Sequence, residues 1–393
     1  MLIELLLFLI LGVLAGTLTG LTPGIHINLV SGLLLTLSLY SLSPIYLVTF
    51  IVSMAITHTF LDFIPSVFLG CPDTDTELSV LPGHELLKNK KGFEAIYLSN
   101  IGSLIAIVLL LILLFPSMFL LEKYGFIMNS LIPYILIGVS GFIIMTEKKK
   151  GSALLVFLLT GILGFSTSSI ELTQPLLPLL TGLFGASSII ISIKNKTEIP
   201  EQEITKSKIS LKKPILGALF SAPFCGFLPG MGSGQAAVIG STIARTDEKQ
   251  FLVLLGIVNT LVMGFSFITL YSLERMRSGA AIAINQLIGK FEINYLILIF
   301  VIIIFTGLIA FVLTNFLAKY FSLNFKKINY KILSYTTLSI LIAVVFLVSG
   351  VLGLLILIIS TLTGIYSIKL KVKRTNMMGC LIIPTILFYF GIL

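Results

Sequence analysis

The chain has 393 residues, of which 56% are hydrophobic and only 11% charged, with a mean hydropathy of +1.09. A soluble protein of that length needs far more charge to cover its surface, so these values exclude one and point to a polytopic membrane protein. The formal net charge of +9 does not signal nucleic acid: the basic residues sit in short loops between apolar stretches, where they act as topology signals.

The first apolar stretch, about 2–21, lacks a basic start and a small-residue cleavage site, and its first charge is Glu4. It reads as the first helix of the mature protein, not as a signal peptide. Spans then follow at about 24–42, 44–69, 98–121, 131–146, 152–170 and 176–193. Each approaches the roughly 17–25 residues that cross ~30 Å of hydrocarbon. A polar, basic stretch, "KNKTEIPEQEITKSKISLKK" (194–213), separates these from a second series at about 214–228, 231–244, 250–272, 293–318, 332–347, 349–368 and 378–392. Segments 70–97 and 273–292 are less hydrophobic and occupy the same place in each series. The domain reading is therefore a first transmembrane repeat (1–193), a cytoplasmic linker (194–213) and a second repeat (214–393). Cys71, Cys225 and Cys380 are odd in number and far apart, so they read as small core residues and not as disulfides or metal ligands.

Seven spans per half predict that the second half is inverted relative to the first. The loop charges agree. With the linker in the cytoplasm, "EKKKG" (147–151), "KYFSLNFKKINYK" (319–331) and "KLKVKRTN" (369–376) all fall inside, while "SSIELTQ" (168–174), with no Lys or Arg, falls outside. Both termini are then expected outside. The fold class expected is all-α: two inverted repeats with Pro-Gly broken or re-entrant helices, in the cell membrane.

Two stretches interrupt their helices in a similar way. "GTLTGLTPGIHINLV" (16–30) and "FCGFLPGMGSGQAAV" (224–238) each run through small residues to Pro-Gly and then a polar cluster. A broken helix frees backbone N–H and C=O groups, which survive at membrane depth only inside protein or along a polar cavity. Paired breaks in inverted repeats point to a transporter's central site, and helices resuming there aim a partial positive charge at it. The alternative is a tight turn between two full-length helices. On the first reading, Thr22, Pro23, Gly24, His26 and Asn28 face Pro229, Gly230, Gly232, Ser233, Gly234 and Gln235 across a site for a small anion, with Asn259 and Arg275 contributing. His26 would bind the anion or carry a proton; it and its polar neighbours could instead cap freed backbone.

"THTFLD" (57–62) sets His58 and Asp62 four apart, on one helix face. A carboxylate among Phe60, Leu61, Phe63 and Ile64 is costly unless a cation, a proton or a polar cavity compensates, so Asp62 is read as the ion-coupling group with His58 beside it. A structural His–Asp pair is the alternative. Asp73, crowded with Asp75 and Glu77, is a further candidate cation ligand or a solvated loop residue.

These stretches resemble a known family. "FIPSVFLGCPDTDTELSVLPGHELLKNKKGFEAI" (63–96) is similar to "IPAILLNIPGTP…DGYPMARKG" of the TctA family, the large membrane subunit of tripartite tricarboxylate transporters. Pro23-Gly24 resembles that family's first "PG" motif, and "PILGALFSAPFCGFLPGMGSGQAAV" (214–238) its second. The resemblance extends over nearly the whole chain. It implies a secondary transporter of inverted repeats, moving carboxylates by alternating access with Na⁺ or H⁺ coupling. It also implies that an extracytoplasmic binding protein and a small membrane subunit are partners to look for. A homodimer is a further possibility, and no cofactor is expected. The chain departs from the pattern at Pro72-Asp73-Thr74-Asp75, at Asp62 where the family has glycine, at Arg275 and Arg277 in a segment lacking the family's proline, and in "GIVNT", where Asn259 remains. The scaffold can thus be shared while the substrate differs.

An enzyme is not expected: no H-E-x-x-H occurs, Ser233 lacks a G-x-S context, and the chain holds only three histidines. The rival reading is a translocase of an anionic lipid carrier such as a polyprenyl phosphate, which would use the same breaks and arginines.

Overall fold

The computed structural model describes residues 2–22, 43–69, 76, 79–172, 174–194, 200–227, 232–289, 291–324 and 330–392. Among them no strand occurs, and seven helices are long and apolar enough to cross a membrane. The protein is an all-α polytopic membrane protein. In the first half, α1 is Leu2–Leu21, α2 Pro44–Leu61, α3 Phe63–Leu69, α4 Val80–Lys88, α5 Gly92–Met145 and α6 Lys150–Ser168. Next come α7 (Leu176–Leu180), a π-turn (Thr181–Ala186) and α8 (Ser187–Lys194). The second half holds α9 (Lys212–Phe227), α10 (Ser233–Ala244), α11 (Glu248–Leu273), α12 (Gly279–Ile288), α13 (Ile293–Asn324), α14 (Tyr330–Lys369) and α15 (Gly379–Tyr389).

One boundary differs from the sequence reading. The spans expected at 98–121 and 131–146 belong to one continuous helix, α5. Residues 117–132 contain no proline, and the single Gly125 packs on Leu273, so nothing in the connecting stretch stops helix propagation. The span expected at 44–69 is present as one apolar segment, Pro44–Phe68, with Asp62 as a single turn residue between α2 and α3 that keeps helical φ and ψ (−60°, −19°). Pro65 accounts for that turn: it has no N–H to offer the Leu61 carbonyl four residues back and its ring crowds that group. Within α14, Gly350 leaves helical geometry (φ 63°), dividing the element close to the expected boundary at 348.

Burial separates the helices into two classes. The α2–α3 segment is 94% buried and α11 is 89% buried, whereas the other five long apolar helices range from 28% to 44%. The first two form the centre, and the others turn residues such as Ile3, Phe115 and Leu347 outward, as lipid-facing helices do. A helix enclosed by protein can hold polar groups because partners surround it. Accordingly Thr49, Ser53, Thr57, His58 and Thr59 lie on α2, and Asn259, Thr260, Ser266 and Thr269 on α11, all buried.

Partners across the two halves are arranged reciprocally. Helices α5 and α11 run parallel, from Glu94 against Lys249 to Leu110 against Gly264 and Gly125 against Leu273. At their crossing a methyl on Gly102 would strike the Val253 carbonyl and one on Gly256 would strike the Ser99 carbonyl, so glycine is required at both. Antiparallel to α5 lies α13, where Asn100 Nδ2 donates to the Phe311 carbonyl (3.0 Å) and Gly307 packs on Ile107. In turn α13 packs on α2. Likewise α6 packs on α15, while the part of α14 after Gly350 packs on the π-turn.

Candidate functional site

The centre of the molecule carries a chain of polar contacts between the halves. Asp62, at the turn before Pro65, is buried, and its backbone N–H donates to the His58 carbonyl (3.0 Å). Its Oδ2 accepts from Asn259 Nδ2 of α11 at 2.8 Å, and the same amide nitrogen lies 3.3 Å from the Thr59 carbonyl. One residue after Asn259, the Thr260 hydroxyl lies 3.2 Å from the Thr59 hydroxyl. One turn before Asp62, His58 Nδ1 meets the Thr19 hydroxyl of α1 at 3.1 Å. Thr19 in turn donates to the Gly16 carbonyl (3.1 Å). The α1 backbone comes this close because Gly20 packs directly on Leu61 and the His58–Asp62 turn.

The site residues read from the sequence fall into four groups. Asp62, His58 and Asn259 are brought together in this cluster. Ser233 is buried in the first turn of α10 between Gly232 and a buried Gly234, and one turn further Ala237 shares a buried cluster with Leu255 and with Phe63, the neighbour of Asp62. The start of α10 thus reaches the same turn. Thr22 continues α1 just past Gly20, half-buried, with its N–H on the Leu18 carbonyl. Arg275 stands apart, half-buried in the turn after α11. Pro23, Gly24, His26, Asn28, Asp73, Pro229 and Gly230, and the side chain of Gln235, lie outside the described residues.

Several buried polar residues were not singled out by the sequence. Thr19, Thr59 and Thr260 complete the central cluster. In the first half, the Ser66 hydroxyl of α3 meets Ser79 Oγ (2.6 Å), just before α4. In the second, Ser266 of α11 meets Ser278 Oγ (3.0 Å), the N-cap of α12. Each half therefore folds its less hydrophobic segment back onto its own central helix through a serine pair. Such pairs leave a local trace only as serines 12 or 13 apart, which without the fold is not a signal.

The TctA family profile, described as tripartite tricarboxylate transporter TctA family, matches residues 6–379. The chain belongs to the TctA family. An uncharacterized protein of Methanocaldococcus jannaschii is 35% identical to it, over 98% of this chain and 98% of that protein. No solved structure matches the chain. As a TctA-family member it is a multi-pass membrane component of a transport system, and the family is one of transporters, not enzymes.

Proposed function

We propose that this TctA-family chain is the carrier of an ion-coupled system for a small carboxylate, working by alternating access around the α2–α11 crossing, with Asp62 as the coupling group. The observation that carries this is the Asp62–Asn259 hydrogen bond of 2.8 Å. It places a carboxylate between the two most enclosed helices, one from each half, where an intramembrane charge is costly without a functional partner. The reciprocal pairing of α5 with α11 and α2 with α13 supports two inverted repeats meeting there. The start of α10 at Ser233 supplies backbone N–H groups suited to an anion. Na⁺ or H⁺ serves as coupling ion, and an extracytoplasmic binding protein and a small membrane subunit complete the system in the cell membrane.

The test is Asp62→Asn in proteoliposomes. Substrate exchange is expected to survive while uphill, ion-driven accumulation disappears; accumulation with unchanged sodium and pH dependence would remove Asp62 from the mechanism. Substrates are sought first by thermal shift with di- and tricarboxylates, with and without sodium. Stabilisation by polyprenyl phosphate alone would favour the lipid-carrier reading.

A further inference from the structure

The loops at 146–150 and 369–376 form one surface with a concentration of positive charge. Lys148, Lys149 and Lys150 lead into α6, Lys369 closes α14, and Lys371 and Lys373 follow; all six are exposed. Lys149 Nζ donates to the Leu370 carbonyl (3.4 Å), joining the loops. Glu147 is the sole carboxylate of either loop. It is 8% exposed and turned inward, its Oε1 accepting from the Lys373 backbone N–H (3.0 Å) and from Asn376 Nδ2 (3.2 Å). The six ammonium groups therefore have no outward-facing acid within the loops to balance them. Lys371 is also held at positive φ (57°), a conformation that non-glycine residues rarely adopt. Its N–H is kept there by the Ile368 carbonyl (3.0 Å).

Adjoining the lysines is an apolar wall. Met145, Leu154, Leu155, Leu158, Leu362 and Tyr366 are all exposed on the ends of α5, α6 and α14 that meet these loops. A ligand using both features carries a phosphate and acyl chains. We propose that this surface seats an anionic phospholipid, its phosphate among Lys148–Lys150 and Lys371–Lys373 and its chains along α6 and α14. An acidic protein could use the lysines but would leave the apolar wall without a role. Glu147 is a positioning residue here, since it holds the 369–376 loop against the start of α6. The site is separate from the transport cluster and does not depend on the reading of Asp62.

The experiment titrates the full-length chain in detergent with short-chain phosphatidylglycerol, counting bound lipid by native mass spectrometry and following the unfolding midpoint. A lysine near the surface contributes about fivefold to binding of an anionic headgroup. Lys371→Gln and Lys373→Gln are each expected to weaken phosphatidylglycerol retention about fivefold. The quadruple Lys148→Gln/Lys150→Gln/Lys371→Gln/Lys373→Gln should weaken it more than tenfold. The control Lys206→Gln/Lys208→Gln, in the exposed linker, should retain wild-type binding. Phosphatidylcholine should leave every variant's midpoint unchanged. Equal retention by wild type and the lysine variants, an equal loss in the control, or equal stabilisation by phosphatidylcholine would overturn the proposal. So would lysine-dependent binding of an acidic peptide with phosphatidylglycerol binding unaffected. The single variants keep the test decisive if the quadruple does not fold.

Discussion

Asn259 is the residue on which the centre turns. Its amide nitrogen serves both the Asp62 carboxylate and the Thr59 carbonyl, so its loss deprives two acceptors at once. Leaving buried acceptors short of a donor costs about 1–3 kcal/mol, and more where the acceptor is charged. Asn259→Ala is therefore expected to lower the unfolding midpoint in detergent and to weaken substrate accumulation, measured in the same proteoliposomes as Asp62→Asn. Thr19→Val makes a useful contrast. It removes only the hydroxyl that meets His58, and a typical net hydrogen-bond contribution is about 0.5–1.5 kcal/mol. Its effect on stability should be the smaller of the two; a loss equal to that of Asn259→Ala would mean that the His58–Thr19 contact matters as much as the Asp62–Asn259 pair.

At the scale of elements, the parallel α5–α11 pair is held at both ends of its contact. Its middle is the glycine–carbonyl crossing, and its start is the ion pair of Lys249 Nζ with Glu94 Oε1 (2.6 Å). Around that pair the linker docks. Ser207 donates to Glu94, Thr205 donates to its other oxygen (3.0 Å), and Gln202 bridges the Leu87 carbonyl (3.0 Å) and the Gly92 N–H (2.8 Å). Glu94 is 1% exposed and Lys249 32%. Breaking a fully buried pair costs about 3–5 kcal/mol; solvent at the lysine reduces this, so Lys249→Gln is expected to cost about 1–3 kcal/mol. Limited proteolysis should then cut within 200–211 faster than in the wild type. Gly256→Val should be harsher, because the added side chain meets the Ser99 backbone, which cannot step aside without moving α5. Its expected outcome is loss of folded protein in size-exclusion chromatography; near-native behaviour would mean the crossing is looser than its geometry implies.

Over the whole molecule, the contacts of Glu147 and Lys149 with 370–376 bring the 146–150 and 369–376 loops to one end of the bundle. This is the arrangement that the charge-based topology requires of two cytoplasmic loops. Single cysteines at Lys148, Lys371 and Lys206, in a background lacking Cys71, Cys225 and Cys380, are expected to react with an impermeant reagent from the cytoplasmic side alone. Labelling of Lys148→Cys and Lys371→Cys from opposite sides would contradict the contacts themselves. Labelling of all three from outside would invert the topology but leave the fold intact.

The sequence by itself determined that the chain lives in a membrane, that its described spans are helical, and that it belongs with the TctA family. Composition, span length and motif order are additive along the chain and need no partner to be read. It also pointed to Asp62, because a carboxylate in "FLDFI" is conspicuous whatever surrounds it. Other features required the tertiary structure. Burial of α2 and α11 at the centre is not visible in hydropathy, since lipid-facing and protein-facing helices are similarly apolar. That α5 runs on through Gly125 is seen only in the fold, where Gly125 packs on Leu273. The pairing of Asp62 with Asn259 joins positions 197 residues apart. Serine pairs such as Ser66–Ser79 and Ser266–Ser278 arise only once the chain folds back on itself. Hydrogen bonds between distant side chains depend on three-dimensional proximity, and nothing in the local order of residues encodes which polar group will stand opposite which.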